Sequence, residues 1–255
     1  MQSPPPLDVS GDEAVLDNAV WYSLAGAHAP FAEIRGAARR YRPDVSAFHA
    51  IADDAPDSWA ALAATAQADG TVTLFRGLAN TPPAAWEVVM TGEAHQMVLS
   101  SPPDPGARLP TIDGASGATI ELRSLHDGDV ARMRDLVRLT EPGPFKSRTI
   151  DLGGYVGVFH DDELVAMAGQ RLRPPGYCEV SAVCTHPTAR RRRYASILTA
   201  LVATAIRERG EIPFLHVAVT NTAAYAAYQQ MGFEARTKVG FGIYRVPAGV
   251  RATGN

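Results

Sequence analysis

Cysteine is scarce in this chain of 255 residues: there are two, Cys178 and Cys184. On one extended strand they would stand about 20 Å apart at ~3.3 Å per residue, too far to bridge, so a mutual disulfide is excluded. No uninterrupted apolar run reaches the ~18 residues of a membrane span. The opening MQSPPPLDVSGDE has neither the basic nor the apolar region of a signal peptide. These absences make the cytoplasm the expected location and remove the membrane as a partner. Positive charge is not in surplus either. The formal net charge is −3, whereas nucleic-acid modules carry a strongly basic face, so nucleic acid is not an expected partner. The first hundred residues hold no glycine loop, no metal-ligand spacing and no nucleophile motif, and no metal is expected in the chain. His28, His49 and His95 stand alone there.

What is present is a hydrophobic content of 46%, enough for a sizeable core in one large domain or two smaller ones. The stretch SSPPDPGARLPTIDGASGA, residues 100–118, is dense in Pro, Gly and Asp and reads as a linker. The expected division is a smaller α/β domain of unassigned role over residues 1–110 and a second domain over 111–255. In the first, NAVWYSLAGAHAPFA and SWAALAATAQA read as helices, and AARRY, VTLFRG and WEVVMTGEAHQMVLS as strands.

The second part is more regular. ATIELRSL reads as a strand, and GDVARMRDLVRL carries Val130, Met133, Leu136 and Val137 at helical spacing. YVGVF and LVAMAGQRL flank the turn HDDE and predict a β-hairpin. YCEVSAVCT is a further strand. From Tyr194 an apolar stripe runs through Ile197, Leu198, Leu201, Val202, Ala205 and Ile206 to a helix end at Gly210, a residue suited to a left-handed cap. PFLHVAV, TAAYAAYQQ and FGIYRV complete the order β-α-α-β-β-β-α-β-α-β, an α/β layout with a central sheet and helices on its faces.

Two segments carry chemistry. HPTARRRRYAS places four consecutive arginines between a strand and a helix start. Backbone N–H groups there are unpaired and lie at the positive end of the helix dipole, a setting that takes phosphates. The amides from Arg191 to Ser196 would face the anion; a solvated basic helix start is the alternative. In VTNTAAYAAYQQMGF, Asn221 is the expected N-cap, and Tyr228 follows two turns later on the face of Ala224. The small Ala224 leaves room for an extended ligand, at whose far end Tyr228 could supply a proton. Tyr225 is a rival donor or a core aromatic.

Together these segments resemble the acetyl-CoA site of the GNAT superfamily of N-acetyltransferases, nearest to its glycine N-acyltransferase-like branch, over about Ala118 to Val246. The resemblance implies a GNAT fold, a mixed central sheet flanked by helices, with the preceding domain either a degenerate copy of that fold or a lid on the acceptor site. It implies an enzyme that moves an acetyl group from acetyl-CoA to a primary amine by direct attack. Arg190 and Ala195 match the family's Arg/Gln-x-x-Gly-x-Gly/Ala pattern. Arg193 stands where the family has glycine, and Arg191 replaces a second, frequent glycine. An arginine serves there if the loop keeps right-handed dihedrals. The implied acetyl-CoA contacts are Val183, Cys184 and Thr185 along the pantetheine arm, Arg190, Arg191, Arg192, Arg193, Tyr194, Ala195 and Ser196 around the pyrophosphate, and Asn221.

Cys184 is expected as a packed strand residue. Period-two alternation puts Glu179, Ser181, Val183 and Thr185 on one strand face. Glu179 and His216 occupy base positions used in the superfamily, and Tyr228 would protonate the departing thiolate. The acceptor is expected to be a small-molecule or peptide amine, and a homodimer is left open. Two other readings stand beside this one: a GNAT-like protein that binds acyl-CoA without catalysis, and an aminoacyl-tRNA-using transferase.

Overall fold

The computed structural model describes residues 13–67, 69–77, 81–100 and 120–248. Apart from Ser100, the expected linker and the boundary at residues 110/111 lie outside the described residues, as does the opening segment through Asp12.

The first half comprises α1 (Ala19–Ala25), β1 (Ala32–Arg35), β2 (Ala38–Tyr41), β3 (Phe48–Ile51), α2 (Pro56–Ala63), β4 (Thr71–Gly77) and β5 (Glu87–Val98). The second comprises β6 (Ile120–Ser124), α3 (Val130–Thr140), β7 (Val156–His160), β8 (Glu163–Gln170), β9 (Tyr177–Thr185), α4 (Tyr194–Glu208), β10 (Ile212–Ala218), α5 (Thr222–Gln230) and β11 (Glu234–Arg245). Strands β1 and β3 were not foreseen from the sequence. The second helix expected between β6 and β7 is only a 3-10 turn, Thr149–Leu152, because the preceding EPGPFKS contains two prolines and a glycine that break a helix.

One mixed sheet of eleven strands runs in the order β1-β2-β3-β4-β11-β5-β10-β9-β8-β7-β6. The two halves repeat one pattern of pairings. In the first, antiparallel β2 and β3 lead through α2 to β4, which lies parallel to β3. In the second, antiparallel β8 and β9 lead through α4 to β10, parallel to β9. The last strand of each half crosses to the other: β5 pairs with β10, β11 pairs with β4, and the two long strands pair with each other.

Local chemistry explains the elements near the site. The hairpin between β7 and β8 turns on Asp161 and Asp162, both at positive φ, as a two-residue type I′ turn requires. Helix α4 buries Tyr194, Ile197, Leu198, Val202, Ala203 and Ile206 against one sheet face, with Val180, Leu215 and Val217 beneath, at ~1.5–3 kcal/mol for each large side chain. It ends in a Schellman motif: Gly210 has φ +77, its N–H bonds Arg207 O, and Glu211 N–H bonds Ile206 O. Helix α1 covers the opposite face around Tyr41, Phe48, Phe75 and Phe214, and α3 covers it around Tyr155 and Met167. No helix among the described residues is long and apolar enough to cross a membrane.

Candidate functional site

Strands β9 and β10 are paired only over Tyr177–Glu179 opposite Ile212–Phe214. Beyond that they part, Val180–Thr185 following β8 and Leu215–Ala218 following β5. A gap between two parallel strands opens there, with one backbone edge of each strand facing it. Inside this stretch β9 carries one extra residue relative to β8, and Ala182 takes φ +53. Such a bulge reverses the side-chain alternation and re-aims a backbone amide. The expected common face of Glu179, Ser181, Val183 and Thr185 is therefore corrected. Past the bulge Cys184 joins the cluster under α3, while Val183 packs toward α4. Burial pushes the Cys184 thiol up to about 11, in keeping with a packed residue. The Thr185 hydroxyl is buried and has no partner among the described residues.

The arginine loop joins β9 to α4. Arg191 has φ +65 and Arg193, at the N-cap, φ +63. The condition under which arginine would serve there, right-handed dihedrals, is not met: at both positions the loop has the left-handed geometry that glycine adopts freely. Among the described residues nothing accepts the backbone N–H of Arg192, Arg193, Tyr194, Ala195 or Ser196. None of Arg190, Arg191, Arg192 and Arg193 has an ion-pair partner there, and all four side chains are exposed. Tyr194 is buried, with its hydroxyl 2.8 Å from His160 Nε2. Across the gap, Asn221 caps α5 by accepting Ala224 N–H at 3.2 Å. Tyr228 packs edge-on to Phe233, burial pushes its phenol up to about 12, and its hydroxyl has no partner among the described residues. Tyr225 instead lies against His95, with ring centroids 4.6 Å apart.

On the opposite sheet face a row of polar side chains crosses five adjacent strand positions, in the order β11, β5, β10, β9 and the end of β8. Arg236 Nη1 donates to Gln96 Oε1 at 2.8 Å, and Gln96 Nε2 lies 3.1 Å from His216 Nε2. His216 Nδ1 lies 2.7 Å from Glu179 Oε1, and Arg171 grips Glu179 through Nε (2.8 Å) and Nη2 (2.5 Å). The Leu172 N–H also donates to Glu179. Since Gln96 Oε1 is taken by Arg236, its Nε2 is the donor, so His216 is assigned as neutral, with Nδ1–H toward Glu179. Burial opposes the Glu179 charge, but the Arg171 guanidinium and the His216 N–H outweigh it and hold the carboxyl at about 2. Burial lowers His216 below its ordinary value against the pull of Glu179.

At the Arg171 end of the row a small, shallow recess opens against the bulge, lined by Pro144, Phe145, Tyr155, Arg171, Ser181 and Ala182 among others. Phe145 meets Tyr155 edge-on at 5.8 Å. Gly169 is glycine because the Tyr155 ring lies where a Cβ would be. Tyr155, Arg171, Gln96 and Arg236 were not singled out from the sequence. The available signal was an arginine closing the apolar run LVAMAGQR. Among the described residues no three His, Cys, Asp or Glu side chains are grouped to hold a metal.

A family model described as FR47-like protein matches residues 155–241. A search of curated proteins finds no match. A structure from Novosphingobium aromaticivorans DSM 12444, described as an acetyltransferase of the GNAT family, is 33% identical, covering 91% of this chain and 99% of that one with a TM-score of 0.78. The chain belongs to the GNAT family. A GCN5-related N-acetyltransferase from Kribbella flavida shares the fold at 16% identity and a TM-score of 0.58, covering 92% of this chain and 96% of that one. The GNAT fold expected from the sequence is the fold observed.

Proposed function

We propose that this GNAT protein transfers the acetyl group of acetyl-CoA to a primary amine bound in the recess beside Ala182. The observation that carries the reading is the meeting of three features along the β9–β10 gap: an unpaired strand edge, a bulge that re-aims an amide, and a helix start where, among the described residues, five N–H groups and four arginines are without partners. The loop is suited to pyrophosphate, and the edge of β9 to the amides of an extended arm, with the Thr185 hydroxyl available as a further partner. An amide of the bulge would stabilise negative charge on the thioester oxygen as the amine attacks. The C–N bond forms, the C–S bond breaks, and the thiolate takes the Tyr228 proton, which is present throughout the neutral range because that phenol is held at about 12.

The amine must also lose a proton. In the arrangement seen, every lone pair of Glu179 facing a donor is in use, and so is His216 Nε2. Freeing Glu179 strands the buried Arg171 charge, at ~3–5 kcal/mol. Freeing His216 Nε2 from Gln96 gives up one neutral hydrogen bond, ~1 kcal/mol. The base role is therefore assigned to His216, reached through water, with Glu179 orienting it and stabilising the imidazolium. The test is acetyl-CoA binding by calorimetry, followed by thiol release against a panel of amines. Binding with turnover is expected, and Tyr228→Phe should lower kcat roughly ten- to a hundredfold, at or below the low end of the range for acid catalysis, with acetyl-CoA affinity unchanged. Full activity in that variant removes Tyr228 from the mechanism, and binding without turnover on any amine returns the protein to a non-catalytic acyl-CoA binder.

A further inference from the structure

Gln96 is fully buried at the centre of the polar row, with a partner at both ends of its amide. Its Oε1 accepts Arg236 Nη1 at 2.8 Å, while its Nε2 donates to the Leu16 carbonyl at 3.0 Å and lies 3.1 Å from His216 Nε2. A guanidinium can only donate and a carbonyl can only accept, so these two partners decide independently which end of the amide is which. Turning the amide over would set donor against donor at Arg236 and acceptor against acceptor at Leu16. The N–H facing His216 is therefore locked in place, and His216 must meet it with a lone pair.

The lock is assembled from elements outside the β9–β10 pair. Arg236 is the extra residue of a bulge in β11, between Ala235 opposite Met97 and Thr237 opposite Gln96, and a bulge re-aims the side chain it carries. The rest of its guanidinium goes to the Glu13 carboxylate at 3.3 Å, the Glu13 carbonyl at 3.0 Å and Asp17 at 2.8 Å. Those groups belong to the 3-10 turn Glu13–Asn18, which also supplies the Leu16 carbonyl. On its other side His216 Nδ1 faces Glu179, with Arg171 behind that carboxylate. Tyr41 and Tyr155 stand against the Arg171–Glu179 pair, and burial keeps both phenols un-ionised. The rings of Phe75 on β4 and Phe214 on β10, with centroids 4.5 and 5.5 Å from that of the imidazole, complete its surroundings. A second proton, on Nε2, would point at the Gln96 N–H and find no acceptor among the described residues. Burial acts in the same direction, lowering His216 against the pull of Glu179.

We propose that Gln96 is a positioning residue for proton transfer: locked by Arg236 and the Leu16 carbonyl, it holds His216 in the neutral Nδ1–H tautomer and returns it to that state after each turnover. This rests on the assignment of His216 as the base and says what controls it. When water displaces Gln96 from Nε2 and carries the amine proton there, the imidazolium so formed has no place in the row. The Gln96 contact re-forms only when the new Nε2–H bond breaks, its electron pair staying on Nε2 and its proton leaving to bulk water.

The experiment titrates the full chain, carrying nitrogen-labelled histidine, by NMR, with the His216 signals assigned by their loss in His216→Gln. Wild type is expected to show Nδ1 protonated and Nε2 bare at neutral pH, and to keep that state at about pH 5.5, where an ordinary imidazole of pKa near 6.5 is about nine-tenths charged. That measurement needs no variant to fold. Gln96→Glu keeps an acceptor for Arg236 and sets an anion where the N–H stood, so Nε2 should take a proton and His216 should titrate about one unit or more higher. The acid limb of kcat/KM should move up by the same interval, a loss of about tenfold or more at a given pH below it that disappears above it. A proton on Nε2 of the wild type at neutral pH, a wild-type imidazole mostly charged at about pH 5.5, or a His216 titration unmoved in Gln96→Glu overturns the proposal. A titration that moves while the acid limb stays where it was instead overturns the assignment of His216 as the base.

Discussion

Arg193 offers the sharpest test of how the arginine loop is built. It sits at φ +63 immediately before α4, with Arg191 at φ +65 two residues earlier. A left-handed dihedral costs an L-residue with a Cβ roughly 1–2 kcal/mol. Glycine escapes that cost but loses more backbone entropy on folding, by roughly 0.5–1 kcal/mol relative to alanine. Arg193→Gly should therefore stabilise the fold by about 0.5–1 kcal/mol, a rise in Tm of about 1–4 °C for a chain of this size. Arg193→Ala keeps the Cβ and the strain, so it should give no such rise. Both variants remove the same guanidinium, which leaves the Gly–Ala difference as a measure of the dihedral alone. Thermal unfolding of the three proteins without ligand reads that difference, and calorimetry with acetyl-CoA reads the charge. If the guanidinium grips the pyrophosphate, both variants should bind acetyl-CoA about tenfold more weakly, the lower range for a hydrogen bond to a charged group. A glycine variant no more stable than the alanine variant would refute the left-handed loop. Tighter binding in both would show that the side chain obstructs the phosphates.

Two further outcomes follow from burial. Gly169→Ala places a Cβ inside the Tyr155 ring, so urea unfolding should show a loss of ~1–3 kcal/mol, with a raised acceptor KM and an unchanged acetyl-CoA affinity as the ring is driven into the recess. His28 and His49 are buried and neutral: burial foremost, with Arg173 beside His28, holds both at about 4. Below their unfolded value near 6.5 the unfolded chain binds more protons than the folded one. Stability is thus complete above pH 6.5 and falls as the pH drops toward 4. A urea series across that window should show the decline, and His49→Gln should roughly halve it, His28 supplying the remainder.

The arginine loop and the two helices beside it were legible because their signals are local. A strand, a polar loop and an apolar stripe starting at Tyr194 are contiguous in the chain, and Asn221 and Tyr228 are set by helical spacing alone. The bulge at Ala182 was not legible. Its cause is a register shift against β8, which strict alternation in YCEVSAVCT gives no reason to expect. Strand β3 was missed because FHAI has only four residues, all buried, too few to show a period. The polar row was hidden for a different reason: Gln96, Glu179, His216 and Arg236 meet only through sheet order, with Gln96 separated from His216 by 120 residues. Glu179 and His216 were visible through family resemblance, whereas Arg171, the partner that decides how Glu179 can behave, was not.

The repeated pairing order gives the molecule two places where parallel strands meet ahead of a helix, yet only one is suited to an anion. Between β3 and α2 the connecting residues include Asp53 and Asp54, and Asp57 follows in the first turn of α2. Asp53 Oδ1 accepts the Ala55 N–H at 3.0 Å and the Ser58 hydroxyl at 2.6 Å, so this helix start is closed by the protein's own carboxylate. The corresponding turn before α4 has arginines and free amides. The first half contributes in another way: β5 supplies Gln96, which contacts His216, and covers the edge of β10 from Phe214 to Ala218. Without β5 that edge would be bare, and the polar row would end at His216 with its Nε2 unpaired. The first half therefore contributes to the polar row, acting through sheet pairing and Gln96.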